Sequence, residues 1–383
     1  MSNSSARVIA FYLPQYHRIQ ENDEWWGEGF TDWTNVSQAR PMFPGHRQPQ
    51  IPSALGFYDL TCPQVWEAQA DLARRAGIHG FCIYHYYFNG KTLLERPLQM
   101  MLELERPDFP FCLCWANENW TRRWDGGERH VLMGQEYGSY DPVAHMKHLS
   151  AAMKDTRYIR VNDKPLWLIY NPSEIPKLPA VMEKWRATAR QQLGHDLHVA
   201  GVLSYQNALT AAQMMEIGFD SVVDFYPKSS ERQGRSFVNE VRYFPQRLIG
   251  QLIDRGLLPE GSRRPVPNRY SYAKLVERAM AAAESQRRQG VWPCVMPSWD
   301  NTARRRSGTA TIIQNDDPAL FASWLEAALT VVDRNPPEER FVFINAWNEW
   351  AEGCHLEPDT QIGRGFLEAT HAAIAGTRDG AGD

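Results

Sequence analysis

The chain has 383 residues, 43% of them hydrophobic, enough core material for one large α/β domain or two ordinary ones without covalent staples. A net charge of -4 and a pI near 6.3 exclude the general basic field that recruits nucleic acid or an anionic membrane surface, so a small molecule or a glycan is the expected partner. The start Met1-Ser-Asn-Ser-Ser-Ala-Arg-Val8 has no basic leader, the apolar run to Leu13 is too short for a signal core, and no run approaches a membrane span. A cytoplasmic protein is expected. Six cysteines at 62, 82, 112, 114, 294 and 354 lie mostly in apolar runs, where reduced, buried thiols are usual.

Arg7 to Leu13 is an apolar run before Pro14, which disfavours helix at the preceding residue, and reads as a first strand delivering Gln15, Tyr16 and His17. Asn22 to Thr34, with glycines, acids and Trp33 among its tryptophans, has no sustained period and reads as a long functional loop. Pro63 to Ala76 carries Val65, Ala68, Leu72 and Ala73 at helical spacing and stops at Gly77. Gly80 to Phe88 is a second strand ending in His85, Tyr86 and Tyr87. A helix follows from Glu95 to Glu105, and Phe109 to Ala116 is a third strand with Glu118, Asn119 and Trp120 hanging from its end.

The rhythm repeats. Asp141, an N-cap before Pro142, opens a helix to about Asp155. Pro165 to Tyr170 is strand four, ending at Asn171; Leu178 to Leu193 is a helix; Val199 to Tyr205 is strand five. A short helix from Thr210 to Ile217 leads to Ser221 to Tyr226 as strand six. Residues 228 to 270 interrupt the pattern with too little apolar content for a separate core, and read as an insertion after strand six. A helix from Ser271 to Arg288, strand seven from Gly290 to Met296, the segment bearing Trp299 and Asp300, a helix from Asp317 to Arg334, strand eight from Phe341 and a closing helix from Thr360 to Ala375 complete the chain. Alternation over eight units argues a parallel sheet with helices outside it, and in one domain of this size a (β/α)8 TIM barrel. A doubly wound open sheet is the alternative, but no Gly-x-Gly-x-x-Gly or Walker loop follows any strand.

In a barrel these strand ends share one rim, where barrel enzymes place their chemistry. Strand eight runs through Asn348 into Glu349 and Glu352, with Trp350 between them and Gly353 closing the turn. Two acids beside indoles suit glycosidic chemistry: one carboxyl protonates the leaving oxygen, the other acts on the opposite side, and apolar surroundings raise a carboxyl pKa. Taken alone, the pair also fits a helix start with two solvated glutamates. Tyr16, His17, Trp33, His85, Tyr86, Glu118, Asn119, Trp120, Asn171, Tyr205, Tyr226, Trp299, Asp300, Asn348 and Trp350 are the expected substrate-binding residues.

Asn348-Glu-Trp-Ala-Glu-Gly353 resembles the Asn-Glu-Trp-x-Glu-Gly signature of glycoside hydrolase family 99, the endo-acting α-mannosidases and mannanases. The whole chain from Val8 to Gly365 is more closely similar to the WbsX-like proteins of polysaccharide and O-antigen gene clusters. That likeness rests on Tyr12-Leu-Pro-Gln-Tyr-His17, Asn22 through Val36, Gly80 through Tyr86, Phe111 through Asp125 and Trp347 through Asp359. The family 99 resemblance implies retention of configuration. Glu349 would act as a base on the substrate's own 2-hydroxyl to give a 1,2-anhydro sugar, Glu352 would be general acid and then base, and Asn348 would bind the sugar. Glu352 is accordingly expected to have the higher pKa of the two. The sequence departs from the pattern at Asp32, where glutamate is common, and at Cys354-His355, where a small residue and an aromatic are common.

The expected function is a retaining, endo-type glycoside hydrolase. The alternatives are a glycosyltransferase using a nucleotide sugar and a carbohydrate-binding protein without turnover. Arg122-Arg123 and Arg304-Arg-Arg306 read either as solvated loop charges or as an anion site. His145 and His148 share a helix face but lack a third ligand and read as surface, so no metal and no cofactor is expected. Cys112-x-Cys114 reads as core packing, and Cys354 lacks an orienting partner for nucleophilic work.

Overall fold

The structure is a computed structural model that describes residues 6–122, 127–228, 267–285, 290–305 and 310–379. Eight parallel strands close into a ring: β1 (Arg7–Tyr12), β2 (Gly80–Phe88), β3 (Phe111–Trp115), β4 (Lys164–Ile169), β5 (His198–Val202), β6 (Ser221–Asp224), β7 (Val291–Val295) and β8 (Phe341–Ile344). Each strand pairs with its successor. The ring shuts where β1 lies between β2 and β8, with Ile9 opposite Gly80 and Val8 opposite Val342. This is the expected (β/α)8 barrel, and its strands are continuous apolar runs because helices cover their outer sides.

A helix follows each strand: α1 (Pro63–Arg75), α2 (Arg96–Glu103), α3 (Pro142–Met153), α4 (Leu178–Leu193), α5 (Ala211–Ile217), α6 (Tyr272–Ser285), α7 (Pro318–Val332) and α8 (Gly365–Asp379). Their starts are written locally. Asp141 accepts from the Val143 and Ala144 amides ahead of α3, Asp317 accepts from Ala319 ahead of α7, and Thr210 with Gln213 forms a capping box on α5. The layer between ring and helices is dense with indoles. Trp115, Trp167, Trp185 and Trp292 are all fully buried, and Trp167 packs edge-on against Trp185 at 4.7 Å.

Several details differ from the sequence expectations. The stretch expected to be an irregular loop contains two short helices, Gln20–Trp26 and Asp32–Gln38, too short to show a period. α8 begins at Gly365, five positions later than expected, because Asp359 caps a turn through the Gln361 and Ile362 amides. His145 is fully buried, against the surface reading of its helix face, because it shares the inner stripe of α3 with Met146, Leu149 and Met153. Five of the cysteines are buried, Cys62 is exposed, and none forms a disulfide. The insertion expected over 228–270 lies outside the described residues apart from Lys228 and its last four, Pro267 to Tyr270; the strand Asn268–Ser271, which begins within them, pairs with Thr311–Gln314. That small sheet adds Trp299–Asp300 antiparallel to Thr311–Gln314 and stands as a wall at the C-terminal rim.

Candidate active site

β8 ends at Ile344, and the chain then forms a two-residue antiparallel hairpin, Asn348–Glu349 against Cys354–His355, joined by a single 3-10 turn over Trp350–Glu352. Gly353 closes the turn at φ +56, a left-handed conformation, with so little room that a Cβ would lie 2.9 Å from the Asp300 backbone nitrogen. The hairpin is sewn to β1. The Asn348 side chain accepts from Leu13 N at 2.8 Å and donates to Leu13 O at 3.0 Å, while the Tyr16 hydroxyl donates to Asn348 O at 2.6 Å and accepts from Trp350 N at 3.2 Å. From below, the buried Glu357 carboxylate accepts from Trp350 Nε1 at 2.6 Å, Tyr58 at 2.8 Å and Gln69 at 2.7 Å. Burial still pushes the Glu357 carboxyl up to about 7.

This framework presents Glu349 and Glu352 to a cleft of about 230 Å³. Between them sits a buried guanidinium. Arg304 Nη1 lies 3.0 Å from Glu349 Oε2 and 3.2 Å from Glu352 Oε1, which bounds the separation of those two oxygens at about 6 Å. Its other edge grips Asp32, with Nη2 2.6 Å from Oδ2 and Nε 3.4 Å from Oδ1. Glu349 is only 7% exposed; burial raises its pKa, Arg304 lowers it, and Glu352 and Asp32 raise it again, leaving it at about 8. The carboxyl held high is therefore Glu349, whereas the sequence reading placed the elevation on Glu352; the desolvating position is the one at the strand end. Burial opposes the charge on Arg304, but Asp32, Glu349 and Glu352 outweigh it and keep the guanidinium well above its ordinary value.

The remaining walls are aromatic and polar. Tyr84 and Tyr86 come from β2, Tyr170 from the end of β4, Tyr205 and Gln206 from the β5 loop, Trp299 and Ile313 from the small sheet, and Trp26 and Trp120 from the rim loops. Glu118 stands in the same cleft and accepts from Gln206 Nε2 at 3.3 Å. Flat rings beside hydrogen-bonding groups suit a pyranose, which offers C–H faces and hydroxyl edges.

A sequence profile described as Glycosyltransferase WbsX matches residues 8–370. The chain belongs to this family. Two curated relatives, each described as Uncharacterized protein WxcX, come from Xanthomonas campestris pv. campestris strains ATCC 33913 and B100; both are 40% identical over 378 residues, 98% of this chain and 50% of the relative. The WbsX-family chain thus spans about half the length of the curated relatives it matches. Among solved structures it resembles a glycoside hydrolase-like protein (TM-score 0.60, 15% identity, 98% of this chain and 95% of that one). It also resembles the GH99 endo-alpha-mannosidase from Bacteroides thetaiotaomicron (TM-score 0.57, 14% identity, both chains covered in full). At these identities the likeness is one of fold.

Of the residues expected at the site of this WbsX-family chain, Glu349, Glu352, Tyr86, Glu118, Asn119, Trp120, Tyr205 and Trp299 line the cleft. The others do not line it. His85, Asn171 and Tyr226 have their side chains engaged elsewhere: His85 Nε2 meets His145 Nε2 at 3.1 Å, Asn171 Oδ1 accepts from Ser173 Oγ at 2.7 Å, and Tyr226 packs edge-on against Trp324 of α7. Their neighbours Tyr84, Tyr170 and Phe225 face inward instead. Strand alternation was the available signal, since successive side chains point to opposite sides. Asp300 likewise faces away from the cleft, accepting from His46 Nε2 at 2.7 Å and Gln48 at 2.9 Å. Tyr16, Trp33, Asn348 and Trp350 form the layer behind the carboxylates, with Trp33 donating to Tyr58 O at 2.7 Å and its ring 5.7 Å from that of Trp350. His17 is buried beside them, and burial lowers it to about 4.

Sequence reasoning did not place Arg304 between the carboxylates, because an Arg-Arg-Arg run in a loop reads as solvated charge or as a site for an anionic substrate, not as a partner of distant acids. The side chains of Arg122, Arg123 and Arg306 lie outside the described residues; Arg305 lines the cleft. Among the described residues no cluster of His, Cys, Asp and Glu has metal-binding geometry, and no helix is long and apolar enough to cross a membrane.

Proposed function

We propose that this WbsX-family protein is a retaining, endo-acting glycoside hydrolase with Glu349 and Glu352 as its catalytic carboxyls. The observation that carries the reading is the pairing of both carboxyls on one Arg304 nitrogen: the two oxygens that face it are no more than about 6 Å apart, which is compatible with the roughly 5–5.5 Å carboxyl separation of retaining enzymes. Glu349, at the cleft floor, takes the proton of the sugar's 2-hydroxyl, which then displaces the leaving group from the anomeric carbon. Glu352 gives its proton to the departing oxygen and afterwards removes one from the water that attacks the anomeric carbon of the 1,2-anhydro sugar, while Glu349 returns its proton to the 2-oxygen as the C1–O2 bond breaks. With Glu349 held near 8 by burial, its ionised form, the one that can take the 2-hydroxyl proton, grows in as pH rises toward 8. The aromatic walls favour a glycan, and the GH99 endo-alpha-mannosidase of like fold makes mannose-containing polysaccharides the first substrates to try. The intracellular location expected from the sequence belongs with this reading and is tested by fractionation.

The family description favours a second reading, transfer from a nucleotide sugar. A screen of polysaccharides and nucleoside diphosphate sugars against the purified protein, with the product anomer read by NMR, separates the two. Hydrolysis with retained configuration supports the first; saturable binding of a nucleoside diphosphate sugar with no glycan cleavage replaces it with the second.

A further inference from the structure

We propose that Arg304 is a positioning residue, a buried clamp that fixes Glu349 and Glu352 at one spacing through a single nitrogen and is itself anchored on Asp32 in the loop after β1. The kinetic part of this assignment rests on the glycosidase reading above; the structural part does not. Arg304 is 8% exposed, and Asp32 is 1% exposed. A guanidinium is planar, so gripping Asp32 along its Nε–Nη2 edge fixes where Nη1 points, and Nη1 is the atom that faces both glutamates. Asp32 is in turn oriented by Asn35 Nδ2, which donates to its Oδ1 at 3.1 Å. Three elements therefore meet in one cluster: the β1 loop supplies Asp32, the connection between Trp299–Asp300 and Thr311–Gln314 of the small sheet supplies Arg304, and the β8 turn supplies the acids.

The charge balance explains why a cation is needed there. Three carboxyl groups surround one guanidinium, Asp32 and Glu349 buried and Glu352 partly exposed, and after burial the charges of Glu352 and Asp32 push the Glu349 carboxyl up further. Tyr16 from the β1 loop, Tyr84 and Tyr86 from β2 and Cys354 from the hairpin complete the surroundings of Glu349, and burial together with its charge raises each of them, so none supplies a compensating charge. Arg304 is the group that pulls the Glu349 carboxyl down toward a useful range. Without it Glu349 would keep its proton to higher pH, and the two acids would lose the common point that sets their separation.

The test compares R304Q, R304M and R304K by two readouts: the titration of the Glu349 carboxyl by 13C NMR without substrate, and the pH profiles of kcat and kcat/KM. R304Q and R304M should raise the Glu349 titration by about one to three pH units, as loss of an adjacent opposite charge does. They should also lower kcat by about 100-fold or more while KM changes little. R304K should keep most of the titration yet regain little of kcat, because a lysine lacks the fork. A Glu349 titration that stays in place in R304Q, or a fully active R304K, overturns the clamp. If R304M does not fold, R304Q and R304K still decide the matter. A wild-type protein that cleaves no glycan while its Glu349 titration moves as described would sink the glycosidase reading and leave the clamp standing.

Discussion

Glu349 and Glu352 lie three residues apart yet occupy different settings, one at a buried strand end and one on the turn beside it. Replacing either by Gln should lower kcat by about 100- to 10,000-fold, the usual loss when a positioned acid or base is removed. Because the Glu349 carboxyl is held near 8, kcat/KM should show a limb near 8 in the wild type that E349Q lacks; a wild-type profile with no limb near 8 would reject a Glu349 that titrates there. The same carboxyl makes a statement about stability. Its folded pKa lies above its unfolded value of about 4.5, so the native state binds the extra proton, and the carboxyl increasingly opposes folding as pH rises from about 4.5 through 8. E349Q should therefore melt higher than wild type by a margin that grows over this window, on the order of a few kcal/mol at its upper end. A margin that is flat with pH would mean that Glu349 is ionised throughout.

At the level of elements, the decisive unit is the turn that follows β8. Asn348 is spent on the Leu13 backbone and on Tyr58, so N348A leaves a buried N–H and C=O of β1 without partners and should cost about 2–4 kcal/mol, read as a lowered melting temperature. G353A combines a left-handed φ with contact against the Asp300 backbone and should cost about as much, and it should also depress kcat by displacing Glu352. Alternating apolar runs and helical stripes made the eight units legible in the sequence, because each barrel strand is buried on both sides. What escaped was short or paired across distance. The two seven-residue helices of the β1 loop and the small rim sheet are too brief to show periodicity. Arg304 reads as solvated until Asp32, 272 positions away, is seen to meet it. Residues such as His85 and Asn171 were assigned by nearness to a strand end, when alternation along the strand decides which side chains face the cleft.

Across the whole molecule, burial sets the pH range of stability. His17, His79, His198 and His355 are lowered to about 4 and His85 to about 3, chiefly by desolvation. His145 meets His85 Nε2 through its own Nε2 at 3.1 Å and the Tyr140 hydroxyl through Nδ1 at 2.9 Å, and burial together with the neighbouring His85 and His148 pushes it well below its ordinary value. Histidines whose folded pKa lies below the unfolded 6.5 contribute stability that is complete above 6.5 and lost as pH falls toward 4. Glu349 and Glu357 act in the opposite sense, opposing folding more as pH rises from about 4.5 to about 8 and about 7, and no further above that. The melting temperature should thus peak between about pH 6 and 7, drop steeply between about 6 and 4, and decline gently from about 7 to 8. A peak at pH 5 would mean that the histidines are solvated.

The seam between β1 and β8 also orders events in time. The acids arrive on the strand that shuts the ring, and Asn348 ties that strand to a segment made more than three hundred residues earlier. In a chain made from its N-terminus, the cleft that Glu349 and Glu352 line is therefore incomplete until β8 and the turn after it have been added, and maturation of the cleft coincides with closure of the ring.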